Sequence, residues 1–177
     1  NAIMEPSLMV SNGASKSSKL ECLHGLAKVI LEESGVERGD VLMVASTSGV
    51  NAVPVEMATE AAELGARVIG ITSIGASKAT PLRNGSGKRL FELADIVIDT
   101  HVPYGDAAIQ VEGVTQRIAP LSTVIGVAIV NALVVRTVKI LVEQGIEPPV
   151  FASANIPGGQ EFNVALLKRY KGQIRAF

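Results

Sequence analysis

Apolar residues Leu20, Leu23, Ala27 and Ile30 recur at three- and four-residue steps, the period of one helix face. Ser18-x-x-Glu21 has capping-box spacing and Gly35 suits a left-handed helix end, so residues 19–34 are predicted to form one helix. His24 falls on or beside its apolar face and reads as a packed histidine. After Asp40 the pattern changes. Val41-Leu42-Met43-Val44-Ala45 is a continuous apolar run between turn residues, as in a parallel strand buried on both faces. Val68-Ile69-Gly70-Ile71-Thr72 and Ile96-Val97-Ile98-Asp99 repeat that signature. Val55, Ala58 and Ala61/Ala62 mark a small-residue helix from Pro54 to Leu64, closed at Gly65, and Leu90–Ala94 reads as a short helical turn.

Strand and helix alternate, which makes the sheet parallel with helices over both faces. Two longer connections, Ser73–Lys88 and Thr100–Pro120, hold most of the turn residues and are expected to carry the site. A long helix from Ser122 to Glu143 is predicted to end at Gly145. Pro148-Pro149 enforces a break, and a last helix runs from about Glu161 to Lys171. The most apolar stretch, Leu121–Val135, is interrupted by Asn131 and closed by Arg136. It is shorter than the roughly 20 residues of a membrane span, so a buried helix is expected and no membrane partner.

Composition narrows the function classes. The 177 residues are 47% hydrophobic, enough for one domain with a core. Sixteen basic and seventeen acidic residues give a formal net charge of -1, without a basic stripe, so the attraction that nucleic acid requires is missing. With no Trp and 3% aromatics, a sugar must be held by polar groups rather than ring faces. The single Cys22 cannot form an internal disulfide and no charged-then-apolar leader opens the chain, so a cytoplasmic protein is expected. Cys22, His24 and His101 offer no metal-ligand spacing; neither metal nor cofactor is expected.

The clearest candidate site is Ser46-Thr47-Ser48-Gly49-Val50-Asn51, between an apolar strand and a helix. Hydroxyls and free N–H groups collect there at the positive end of a helix dipole, at the carboxyl end of a parallel strand. Without Lys or Arg, such a loop suits a phosphate monoester better than a triphosphate with its metal. The plain alternative is helix capping by Ser48 or Asn51. Gly85-Ser86-Gly87-Lys88 is not a Walker motif, because Leu82 stands at the first glycine position and Arg89 at the Ser/Thr position. Lys88 can still reach a phosphate or sugar oxygen, or be solvated. Ser122 and Thr123 open the long helix and either face the ligand or cap it. His101 follows a strand end, where acid/base groups sit, and Asp106 and Glu112 are carboxylates in the same connection.

Val41-Leu42-Met43-Val44-Ala45-Ser46-Thr47-Ser48-Gly49, followed by Ala61-x-x-x-Gly65-Ala66-x-Val68-Ile69-x-Ile71-Thr72, resembles the signature of sugar isomerase (SIS) domains. Glu5-Pro6-Ser7-Leu8-Met9, Ser86-Gly87-Lys88-x-Leu90-x-x-x-Ala94-Asp95 and Ser153-Ala154-Asn155 are similar to a bacterial subgroup of phosphosugar isomerase-like proteins, so the resemblance spans nearly the whole chain. It implies a three-layer α/β/α sandwich with a flavodoxin-like parallel sheet, one SIS domain over residues 1–177, and a homodimer. It also implies that Ser46, Thr47, Ser48 and Asn51 hold the phosphate of a sugar phosphate. Family members carry a helix, a strand and a Ser/His loop ahead of the segment similar to Glu5-Pro6. Asn1 is therefore expected to lie inside the second strand of a chain truncated at its N-terminus. Amino-sugar isomerases of the family begin the late helix Ser-Thr-Lys, where this chain has Ser122-Thr123-Val124.

The function expected from the resemblance is aldose–ketose isomerisation of a sugar phosphate along an enediol path. Glu112 is the nameable base and His101 the candidate for ring opening, as family isomerases use a glutamate and often a histidine. A non-catalytic sugar-phosphate sensor, or an etherase or lyase on an amino-sugar phosphate, would use the same anchor.

Overall fold

All three apolar runs are strands: β1 (Val41–Ala45), β2 (Arg67–Thr72) and β3 (Ile96–Asp99). The computed structural model describes residues 2–173 and pairs the strands in the order β1-β2-β3, all parallel, with Val41 opposite Arg67 and Ile69 opposite Ile96. Helices α1 (Ala14–Leu20), α2 (Leu26–Ser34), α3 (Ala52–Glu63), α4 (Ile74–Ala79) and α5 (Leu90–Leu93) flank and connect them. The fold is the expected α/β arrangement with a parallel sheet flanked by helices.

Small side chains set its spacing. Val53, Val55, Ala58 and Ala61 of α3 are buried against the sheet and α2, whose Ala27, Ile30 and Leu31 are buried in turn. Each fully covered valine contributes roughly 1.5–3 kcal/mol. Gly70 in β2 leaves room for α5, because a Cβ there would lie 3.1 Å from that of Ala94. Leu90 consequently seats with no exposed surface. Arg89, at the Ser/Thr position of the rejected Walker pattern, donates to the carbonyls of Ser77 and Thr80 and so closes the end of α4.

Residues 19–34 do not form one helix. Ser18 lies inside α1, its hydroxyl donating to Ala14 O, and Glu21 caps that helix at its end, so the capping box does not form. Gly25, at φ 80°, turns the chain into α2 and donates its N–H to Glu56 Oε2 at 2.8 Å. His24 is exposed rather than packed, with Nδ1 2.7 Å from Glu56 Oε1. Gly35 does end α2 in the left-handed conformation.

The strand expected at the chain's opening falls partly on Asn1, outside the described residues. Pro6–Leu8 and Val10–Asn12 are 3-10 turns. Pro6 has no N–H for a ladder, and the Glu5 carboxylate accepts the N–H of Ser7 instead. β1 is not covered on both faces either: Leu42 and Val44 are buried, but Val41 and Met43 are 61% and 43% exposed. It lies at the end of the sheet, whereas the central β2 is buried along most of its length.

Both long connections contain elements of their own. Ser73–Lys88 includes α4, which Ser73 caps by accepting the N–H of Ala76, and Thr100–Pro120 folds into an antiparallel ribbon of β4 (Ala107–Ile109) and β5 (Ile118–Pro120). Helix α6 (Ser122–Glu143) covers the predicted residues, but none of them is buried. Its apolar residues run around the whole circumference, so no stripe assigns a buried face. The helix continues past Arg136 for 22 residues in all, with a mean hydropathy of 2.0 over an 18-residue window, and is long and apolar enough to cross a membrane.

The chain divides into two compact units. Glu5–Ala128 holds the parallel sheet. The other is built mainly from the chain from Ile129 onward, where the left-handed Gly145 follows the end of α6 and α7 (Gly159–Arg169) follows the Pro148-Pro149 break. Asn163 of α7 grips both main-chain groups of Ala152, at 2.9 and 2.8 Å, and Arg169 pairs with Glu147 at 2.9 Å.

Candidate functional site

The chain leaves β1 at Ala45 and enters α3 through Ser46–Asn51, a loop whose main chain is tied on several sides. Ser46 N–H donates to Ile71 O, and Ser46 Oγ accepts the N–H of Gly49 at 3.2 Å. The Thr47 carbonyl accepts from Ser73 N–H and from Thr72 Oγ1 at 3.1 Å, while the Gly49 carbonyl accepts the N–H of Leu90. The backbone is thereby fixed without using the Thr47 and Ser48 hydroxyls, which have no partner among the described residues.

Asn51 occupies the N-cap of α3 but makes no side-chain capping bond; Val53 N–H is taken by the Glu21 carbonyl. Only 7% exposed, Asn51 keeps its Oδ1 without a donor. A buried amide oxygen in that state costs about 1–3 kcal/mol unless something donates to it. Neither Ser48 nor Asn51 is therefore occupied as a cap, and both open onto a cavity of about 530 Å³.

Four segments wall that cavity. Ser46, Thr47, Ser48 and Asn51 form one side, and Ala76 and Thr80 of the α4 region with Arg83 form the next. Tyr104, Gly105 and Asp106 come from the connection after β3, and Glu21 from the end of α1. The cavity lies beyond the carboxyl ends of β1 and β2, where parallel sheets collect ligands.

Asp106 is committed to structure. Its Oδ1 accepts the N–H groups of Leu121 and Ser122, at 3.0 and 2.7 Å, and its Oδ2 accepts from Ser122 Oγ at 2.6 Å. Partial burial pushes its pKa up, but these three hydrogen bonds outweigh that effect and hold it below the ordinary aspartate value. A depressed folded pKa contributes stability that is present above the unfolded value of about 3.9 and lost as pH falls through the folded value. Urea unfolding at a series of pH values should show wild type more stable than Asp106→Asn by a constant margin above about pH 5, shrinking below pH 4. An equal margin at pH 3 would contradict the assignment.

The other sequence candidates lie elsewhere. Lys88 is exposed, in a loop folded on Asn84, whose Nδ2 donates to Lys88 O and Val50 O. His101 is exposed at φ 54°, with Nδ1 3.4 Å from Asp99 Oδ2. Asp99 also accepts the N–H groups of Ile74 and His101. Burial raises its pKa, yet those bonds, with the charges of His101 and Lys78, bring it below the usual range. Glu112 is exposed in the turn between β4 and β5, Thr123 is exposed on α6, and Ser122 spends its hydroxyl on Asp106. None of these five lines the cavity. No cluster of three His, Cys, Asp or Glu among the described residues is placed to hold a metal ion.

Glu21, Arg83 and Tyr104 line the cavity without standing out in the sequence. Glu21 is masked there by its apparent capping-box role. Arg83 sits two residues after Pro81 in a connection that leaves a strand end, and convergence of such connections was the available signal.

Residues 1–73 match the family model of the SIS domain. A UPF0309 protein of Shouchella clausii is 43% identical over 175 residues, covering 98% of this chain and 71% of the relative. The chain belongs to the UPF0309 family of SIS-domain proteins. UPF0309 proteins of Oceanobacillus iheyensis (42% over 175 residues, 98% of this chain and 71% of the relative) and Geobacillus kaustophilus (44% over 171 residues, 97% and 68%) agree with it. Membership in a SIS-domain family points to phosphosugars as the ligand class of UPF0309 chains.

Proposed function

We propose that this UPF0309 chain binds a sugar phosphate in the Ser46–Asn51 cavity and interconverts its aldose and ketose forms. The observation that carries the reading is the Asn51 oxygen, buried and without a donor beside the unpartnered Thr47 and Ser48 hydroxyls. The hydroxyls donate to a phosphate. A phosphate dianion has no hydrogen to give Asn51 Oδ1, but a sugar hydroxyl has one, so the pair of features suits the two halves of a sugar phosphate.

Isomerisation needs a base, here a carboxylate, that takes the proton from the carbon next to the carbonyl and returns it to the former carbonyl carbon, while a second proton passes from the hydroxyl oxygen to the carbonyl oxygen, through an enediol. Two acidic residues line the cavity, and Asp106 already accepts three hydrogen bonds. Glu21 has no side-chain partner among the described residues and is the base in this reading. Incubating the protein with sugar phosphates in heavy water should exchange the C1 or C2 proton, and Glu21→Gln should stop exchange while ligand still raises the melting temperature. No exchange with any sugar phosphate would remove the isomerase. Thermal protection in that case supports the second reading, a binding module without turnover, which is favoured by the absence of His24 and His101 from the cavity lining.

A further inference from the structure

We infer that Arg83 is the cation that completes the phosphate site and makes it selective for a doubly charged phosphate monoester. The inference rests on the phosphosugar reading of the same cavity and adds a residue and a charge preference to it. Arg83 lines the cavity with Ser46, Thr47, Ser48 and Asn51. Its main chain is fixed against the loop: Arg83 N–H donates to Val50 O at 3.0 Å, and Arg83 forms a parallel bridge with Asn51. Asn84 next to it donates to Val50 O at 2.8 Å and accepts from Ser86 N–H and Oγ, which folds the glycine-rich loop on itself and leaves Lys88 outside.

The guanidinium is free to act. Among the described residues Arg83, like Arg38, Arg67 and Arg117, has no ion pair and no side-chain hydrogen bond, but of these four arginines it alone lines the cavity. Two acidic residues, Glu21 and Asp106, also line the cavity. Without a cation, a phosphate entering beside them meets net repulsion. A guanidinium supplies the balancing charge and a planar fork matched to two phosphate oxygens, which a lysine does not. The buried, unpartnered Asn51 oxygen in the adjoining wall is an independent sign that the cavity takes a ligand.

Calorimetric titration with a hexose 6-phosphate, the matching hexose 6-sulfate and the free hexose tests this on wild type, Arg83→Gln, Arg83→Lys and Lys88→Gln. Arg83→Gln should weaken the phosphate by about 30-fold or more and flatten its salt dependence; Arg83→Lys, which keeps the charge but loses the fork, by about fivefold. Lys88→Gln should stay within about twofold, and wild type should prefer phosphate to sulfate. Unchanged affinity in Arg83→Gln, with wild type binding, would overturn the role of Arg83 and leave the phosphosugar reading intact. If wild type binds no phosphate, that reading falls and the inference with it. Should Arg83→Gln fail to fold, Arg83→Lys decides: a fivefold loss supports the role and wild-type affinity overturns it.

Discussion

Gly49→Ala should destabilise the protein by roughly 2–5 kcal/mol, a loss that combines left-handed strain with overpacking. Gly49 has φ 56°, where a side chain costs about 1–2 kcal/mol. A Cβ there would stand 2.8 Å from the Cβ of Leu90 and 3.1 Å from Thr72 Oγ1. Neither neighbour yields easily. Leu90 is fully buried, its N–H bonded to the Gly49 carbonyl, and Thr72 is fully buried with its hydroxyl on Thr47 O. Gly87 provides the control: at φ 70° a Cβ would meet nothing within 4 Å, so Gly87→Ala should cost only the strain, about 1 kcal/mol. Thermal unfolding of both variants measures the difference, which should be several degrees in melting temperature for a chain this long. Equal shifts would mean that the loop and Leu90 can move apart, and that the loop is not held as described.

How far the fold can be read from the residues depends on whether its signal is local. β1, β2 and β3 are legible because short, nearly unbroken apolar runs leave few alternatives, and the left-handed ends at Gly35 and Gly145 because their chemistry is confined to one residue. The break between α1 and α2 is not local. It depends on Glu56, distant in the chain, accepting the N–H of Gly25. Coverage of β1 and α6 is likewise a property of neighbours: the run Val41–Ala45 looks the same at the edge of a sheet as in its middle, and the apolar circumference of α6 names no partner.

The site follows the same division. The Ser46–Asn51 loop is legible because one segment supplies both the hydroxyls and the helix start. Its walls are legible only at Asp106, since Glu21, Arg83 and Tyr104 come from three distant segments and meet only through the order of the strands. Lys88 attracts notice through its glycine-rich motif and Glu112 as a carboxylate in a long connection, and the Asn84 turn and the β4–β5 ribbon carry them elsewhere. Capping by Ser48 or Asn51, which the sequence leaves open, is missing from the hydrogen bonds: α3 begins without a side-chain cap.

That distinction gives the second large effect, Ser48→Asp, expected to lower phosphosugar affinity by more than about a hundredfold, on the order of 3 kcal/mol, without lowering the melting temperature. Aspartate near the first turn of α3 is at least as favourable as serine, since a carboxylate complements the positive end of the helix. Ser48 is half-buried and its hydroxyl has no partner to lose among the described residues, so the folded protein should tolerate the change. The ligand should not, because under the proposed function the new carboxylate stands at the phosphate position and both carry negative charge. Ser48→Ala isolates the lost hydrogen bond and should cost only about 1 kcal/mol of affinity. If Ser48 served merely to start the helix, the order would invert: Ser48→Ala would reduce stability, Ser48→Asp would restore it, and neither would change the binding of a sugar phosphate.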